Sequence, residues 1–329
     1  MTDDPGVRWL LQSEDPSVRY LTLTEVLGHS IDMHEVNAAK REIPRSRKVR
    51  TLLAGQRNDG GFGVHPYQKW AGAHWRLVSL TELGVPKGNR KALRAAQQVL
   101  QWLRGEKHLH AIKTINGRTK RCASQEGNAL AVCSYFRMAE DPRVRSLAES
   151  LIEWQWPDGG WNCDKRPEVI HSSFYESLAP LWGLQRYYRA TGDREAKRAA
   201  DRAAEFFLIH RLFRSHRNEN IIERQWLRLH YPLFWHYDIL QGLRVISLAG
   251  KLKDERAEEA LRIVESKRSS DGLWSTEGCY WNLRRKVPGP GKGPVVSNVD
   301  VVDWGRHGPN EMITLNALRV LKAAGRIAR

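Results

Sequence analysis

The strongest constraint on this chain is a turn that it writes three times. The segments are Gln56-Arg-Asn-Asp59-Gly60-Gly61-Phe62, Gln155-Trp-Pro-Asp158-Gly159-Gly160-Trp161 and Arg268-Ser-Ser-Asp271-Gly272-Leu273-Trp274. Asp-Gly supplies the positive-φ backbone that other residues resist, so each segment ends one helix and turns the chain sharply toward the next. After each turn comes an apolar helix rich in small residues, predicted at His74–Leu83, His171–Tyr187 and Asn310–Lys322. Three more of the same kind are expected at Ser17–Leu27, Cys122–Tyr135 and Trp235–Leu248. Between them run charged amphipathic helices, such as Arg90–Arg104, Pro142–Gln155, Arg194–His210 and Asp254–Arg268. Val7–Gln12 reads as a short extra helix, and 283–298, with its Gly-Pro run, as a long loop.

Apolar helices alternating with charged ones imply two layers, one buried on all sides and one shielding it. A two-helix unit of roughly 50 residues cannot bury its own apolar face, so neighbours must stack. The expected fold is all-α, an α/α toroid of five to six helical hairpins with the inner helices around a central cavity. Residues 1–329 are read as one domain, with its repeat turns near 56–62, 155–161 and 268–274.

The Q-x-x-x-G-x-[WF] spacing at Gln155, Gly159 and Trp161, and at Gln56, Gly60 and Phe62, resembles the QW repeat of squalene and oxidosqualene cyclases. It also resembles the Gly-Gly-[FW] turns of protein prenyltransferase β subunits. The resemblance implies an α/α toroid that acts on isoprenoid-like or diphosphate-bearing substrates, and the length fits a single toroid. Two departures are clear. There is no D-x-D-D run of the kind that protonates an alkene in class II cyclases, Asp300-Val-Val-Asp303 having the wrong spacing. There is also no Asp-x-Cys pair of the kind that holds zinc in prenyltransferases.

In a toroid the inner-helix starts converge on one rim. There the sequence places His74 and Trp75; Cys122, Gln125 and Glu126; Cys163, Asp164 and His171; His230, His236 and Asp238; and His307, Asn310 and Glu311. Only 12 His and 4 Cys exist in the chain, so their gathering at helix starts is informative. One reading is a zinc site from Cys122, His171, His236 and Asp238, with Cys163 as an alternative to Cys122. Another is acid–base catalysis by Glu126, Asp238, His236 and Glu311, with Glu176 a further carboxylate in an apolar helix. Helix capping and structural ion pairing, for instance with Arg76 or Arg244, explain the same residue types without any chemistry. His74, Trp75, Tyr175, Trp235, Tyr237 and Trp304 are expected to line the substrate cavity.

Lys and Arg outnumber Asp and Glu by 53 to 37, a net charge of +16 that suggests an anionic partner. The basic strip His210–Arg217 and the group Arg284, Arg285 and Lys286 are candidates for holding one. No nucleic-acid-binding signature stands out, so a small apolar or anionic substrate is the expected partner. Four cysteines are too few for a disulfide framework, no stretch is long enough to span a membrane, and the first residues are acidic and polar; a cytoplasmic protein is expected. Three functions stay open: an enzyme of the toroid cavity, a basic binding module for nucleic acid or a membrane surface, and a non-catalytic scaffold.

Overall fold

The computed structural model describes residues 3–283 and 299–327. About 53% of the chain is helical. In chain order the helices are α1 (Pro5–Leu11), α2 (Pro16–Leu21, continued by a π-helical stretch Thr22–Leu27), α3 (His34–Glu42), α4 (Arg47–Leu53), α5 (Ala73–Glu82), α6 (Arg90–Leu103) and α7 (Glu106–Leu109). Then come α8 (Ser124–Tyr135), α9 (Pro142–Glu153), α10 (Phe174–Thr191), α11 (Arg194–Ile209), α12 (Ile239–Leu248), α13 (Glu258–Ser266) and α14 (Glu311–Ala323). Two short antiparallel strand pairs, 113–115 with 118–120 and 275–276 with 308–309, complete the described structure.

The inner set is α2, α5, α8, α10, α12 and α14, with consecutive members from α5 to α14 in contact. α14 packs back on α2, and a Cβ on Gly84, just after α5, would touch Leu21 and Tyr20 of α2, so the ring closes. Every residue from Ala73 to Thr81 of α5 is buried. By contrast α6 buries only one stripe, Ala92, Ala95, Ala96, Val99, Leu100 and Leu103, which is what separates an outer helix from an inner one. The closest inner pair is α8 and α10. A Cβ on Gly127 would strike the backbone of Ala179 and Pro180, so only glycine allows the two helices this approach. The N- and C-terminal parts of the ring are tied together by polar contacts: Ser13 Oγ donates to Glu311 Oε1 at 2.5 Å, Lys48 lies 3.4 Å from Glu311, and Arg268 lies 2.6 Å from Asp4.

The turn spacing has a direct physical cause. Gly60, Gly159 and Gly272 sit at φ 85°, 94° and 80°. Gln56 Nε2 donates both to the Gly60 carbonyl (2.9 Å) and to the Lys91 carbonyl at the start of α6 (2.8 Å). Gln155 Nε2 does the same to Gly159 (2.7 Å) and to Ala199 in α11 (2.8 Å). One amide therefore holds the turn and fastens it to the next outer helix. The indole of Trp161 donates to the Leu151 carbonyl, and that of Trp274 to Val264, at 2.9 and 2.7 Å, filling acceptors that the end of a helix leaves open. Phe62 has no such donor. There the Arg76 guanidinium stacks on the Phe62 ring and donates to the Leu52 carbonyl at 2.9 Å, the corresponding place in the sequence. Arg76 thus serves as a cap for α4 and is not the carboxylate partner considered above.

Two inner helices begin later than their apolar patterns suggest. α10 starts at Phe174, three residues after His171, and α12 starts at Ile239, after Asp238. Residues 230–237 instead form a loop that runs into the ring, where Phe234 stacks on Trp70 at 4.0 Å between ring centres. The group Arg284, Arg285 and Lys286 lies outside the described residues, as does all of the 283–298 loop but Leu283.

Candidate functional site

Near the starts of α8 and α10 three side chains of metal-ligating type meet. Cys122 Sγ, Cys163 Sγ and a Glu176 carboxylate oxygen all lie within 4.8 Å of one another. The Cys163 thiol faces Glu176 Oε1 at 3.5 Å, and Glu176 Oε2 accepts the backbone N–H of Ser124 at 3.0 Å. Burial pushes the Glu176 carboxyl above its ordinary pKa, against the lowering effect of the Ser124 and Cys163 hydrogen bonds. A hydrogen bond with Cys122, burial and the Glu176 charge push the Cys163 thiol up as well. Tyr67 stands beside this group, and burial holds its phenol protonated.

Next to it, Glu126 is 1% exposed. Its Oε1 accepts from Arg121 Nη2 at 2.7 Å and lies 3.0 Å from His108 Nε2. Burial alone would raise this carboxyl, but the bonds from His108 and Arg121 hold it below the ordinary value. A proton is therefore not waiting on Glu126; it is a buried, ion-paired carboxylate. His74 is buried between Tyr67, Trp75 and Trp102, and burial drives its pKa down to about 3.

The remaining residues singled out in the sequence sit elsewhere. Asp238, fully buried, is the N-cap of α12: Oδ1 accepts from the Gln241 N–H at 2.9 Å and Oδ2 from the His230 N–H at 3.1 Å. The buried His230 ring also lies 3.1 Å from Oδ2 through Nδ1, so the carboxylate ties the helix start to the segment at His230, which accounts for its burial without chemistry. His236 is stacked between Trp235 and Tyr280, 3.9 and 3.6 Å between ring centres, and burial, His230 and Lys69 lower its pKa to about 3. His171 lines an outer cleft of about 880 Å³ with Asp158, Tyr175, His210 and Trp226. Glu311 joins α14 to Ser13 and Lys48. The set Cys122, His171, His236 and Asp238 is therefore not brought together, because α10 and α12 start late and the 230–237 loop fills the ring between them. Cys122 instead finds Cys163 and Glu176.

Among the expected cavity residues, Tyr175 lines the outer cleft and Trp235 sits on the rim. Trp75 and Tyr237 are buried, their polar atoms donating to the carbonyls of Tyr67 and Leu212. Trp304 donates to Asp300 at 2.8 Å. The basic strip is partly neutralised, since Arg214 pairs with Glu259 and Arg211 with Glu219.

The inner chamber lies toward the other end of the ring, below the 230–237 loop. Its volume is about 180 Å³, and its walls include Val78, Leu178, Trp182, Leu233, Phe234 and Val245. Glu25, Glu82, Arg186, Arg244 and Arg319 reach the same space. Sequence reasoning passed over Arg186 and Arg319 and offered Arg244 only as a structural ion-pair partner, the role it plays with Glu82, although each interrupts an apolar inner helix.

Neither a protein-family model nor a curated protein matches the sequence. Among solved structures, the chain is similar to the type II terpene cyclase MstE from Scytonema without ligand, at 15% identity over 95% of this chain and 89% of that one, with a TM-score of 0.44. It is similar to a variant of the same cyclase in complex with its substrate, geranylgeranyl dihydroxybenzoate, at 16% identity over 95% and 88% of the two chains, again with a TM-score of 0.44.

Proposed function

We propose that the chain is an enzyme acting on an apolar, isoprenoid-like or diphosphate-bearing substrate at the rim of its ring, by metal-assisted or acid–base chemistry. The observation that carries this reading is the meeting of Cys122, Cys163 and Glu176 at the starts of α8 and α10. Two sulfurs and one carboxylate form a donor set that suits zinc, with a fourth position left for water or substrate. Bound there, the ion would supply Lewis-acid polarisation of a substrate oxygen or activation of a bound nucleophile. Without it, Glu176 is the residue to hold and deliver a proton, because burial favours its neutral form. The half-buried rings of Tyr67, Tyr175 and Trp235 supply the apolar and cation–π surface that such a substrate needs.

The test is metal analysis of the purified full-length chain, paired with cobalt titration read through the sulfur-to-cobalt absorption band. About one equivalent of metal is expected. Cys122→Ser and Cys163→Ser should each lower affinity by roughly tenfold or more and abolish turnover of isoprenyl substrates. A chain that takes up no metal and turns over no isoprenyl substrate would remove the enzyme reading and leave the scaffold, whereas turnover that survives both serine variants and Glu176→Gln would take the chemistry away from this rim group.

A further inference from the structure

The inner chamber is an unusual place for three guanidinium groups. Arg186, Arg244 and Arg319 come from α10, α12 and α14, and all three enter a space whose other walls are apolar side chains together with Glu25, Glu82, Asn128, Gln241 and Ser247. Two are matched by carboxylates. Arg244 Nη1 donates across the ring to Glu82 Oε1 at 2.8 Å and to Gln241 Oε1 at 2.6 Å. Arg319 lies 2.9 Å from Glu25 and donates to Asn316 Oδ1 at 2.9 Å. Arg186 has no carboxylate partner among the described residues. Its guanidinium lies over the rings of Trp182 and Tyr135, 5.3 and 5.4 Å from their centres, and its buried Nε has no acceptor. Three guanidiniums against two carboxylates leave one positive charge in excess. That charge sits half-buried and without a counter-ion, a position that favours an anion beside it. Burial accordingly lowers the pKa of Arg186, opposed by the nearby Glu25 charge.

We propose that this chamber binds a small organic anion, with a carboxylate or phosphate-ester head on Arg186, Arg244 and Arg319 and a short apolar body along Leu178, Trp182 and Phe234. The guanidinium fork matches both heads, since each presents coplanar or near-coplanar oxygens to paired N–H donors. The size fits one ring. The chamber is about 180 Å³, and an apolar cavity of roughly 150 Å³ takes up benzene. A long isoprenoid tail does not fit inside it. This site is separate from the rim, so it stands or falls independently of the metal reading above.

The experiment is calorimetric titration of the full-length chain with benzoate, phenyl phosphate and the neutral benzyl alcohol. One of the two anions should bind with a Kd below about 1 mM, and the alcohol at least about tenfold more weakly. The tighter anion identifies the head. Arg186→Met keeps the apolar stem and removes the charge, and should weaken the anion by about tenfold or more. Glu25→Gln removes a half-exposed carboxylate from the chamber mouth and should tighten binding, a readout that holds even if the Arg186 variant fails to fold. The proposal is overturned if neither anion saturates by about 10 mM. It is equally overturned if the alcohol binds as well as the anions, if Arg186→Met binds undiminished, or if Glu25→Gln has no effect.

Discussion

The two ends of the ring hold their charged groups in different ways. Where the inner helices begin, Glu176 accepts the first N–H groups of α8, Asp238 caps α12 and Asn310 caps α14. Near their ends stand Arg186, Arg244 and Arg319. Because each inner helix follows an outer one, all six run the same way and their dipoles align, positive at the rim and negative at the far end. The outer helices run the opposite way, and the exception proves consistent with this: Arg76 sits at an inner-helix start but binds the carbonyls that end outer helix α4. Carboxylates thus serve as helix-start acceptors at the rim, whereas at the far end Glu25 and Glu82 pair with two of three arginines. The rim groups are largely satisfied by one another, whereas the far end has one guanidinium to spare.

The sharpest way to break this contrast is to unpair the ion pair that crosses the chamber. Arg244→Leu would leave Glu82, 15% exposed at its side chain, without its cation. Breaking such a pair by removing one partner should cost about 3–5 kcal/mol in urea unfolding. The double variant Glu82→Leu/Arg244→Leu should recover most of that, since two apolar residues replace two charges. A single substitution costing less than about 1 kcal/mol would mean that the pair is solvated like a surface one.

At the rim the corresponding probe is pH. His74 titrates near 3 in the folded chain, against 6.5 when unfolded. Above pH 6.5 both states are neutral and its contribution is fully present. As pH falls from 6.5 toward 3 the unfolded state alone takes up the proton, so stability drops by about 1.4 kcal/mol per unit, reaching roughly 4 kcal/mol. His236 acts in the same direction over the same window, lessened by its greater exposure. His74→Phe keeps the ring contacts and should flatten this part of the stability–pH curve. An unchanged slope between pH 6.5 and 4 would show that His74 is protonated in the folded state.

Much of this was legible in the sequence, and for local reasons. The Asp-Gly turns, the Gln four residues before the first glycine, and the alternation of apolar and charged helices are short-range signals, and each maps onto a few hydrogen bonds or one face. The gathering of Cys122, Cys163 and Glu176 was half legible, because Cys122 and Glu176 stand beside helix starts and Cys163 follows a repeat turn, but nothing local tells which starts are neighbours. His171 and His236 read as rim residues only if α10 and α12 begin where their apolar patterns begin. They begin later, and the 230–237 loop, turned inward with Phe234 on Trp70, divides the ring in a way no periodicity announces. The chamber went unread because Arg186, Arg244 and Arg319 are far apart in sequence and look, one at a time, like ordinary helix arginines.

The smallest effect expected is at Asp238, and it separates two roles that sequence reasoning could not. A catalytic carboxylate in this position would lose activity on replacement while the fold stayed intact. The structure gives the reverse expectation. Asp238 Oδ1 accepts the Gln241 N–H and Oδ2 the His230 N–H, so the side chain joins the end of the inward loop to the first turn of α12. Asparagine can keep one of these bonds but turns a donor toward the other N–H, and it removes the negative charge from a helix start. Loss of one net hydrogen bond together with the charge–dipole term amounts to about 1–2 kcal/mol. Alanine, which keeps neither bond, should cost more, about 2–3 kcal/mol. Thermal unfolding of the two variants beside the parent measures both steps, with the melting temperature falling in the order parent, Asp238→Asn, Asp238→Ala. An Asp238→Asn chain that melts with the parent yet loses turnover would return this carboxylate to the reacting site.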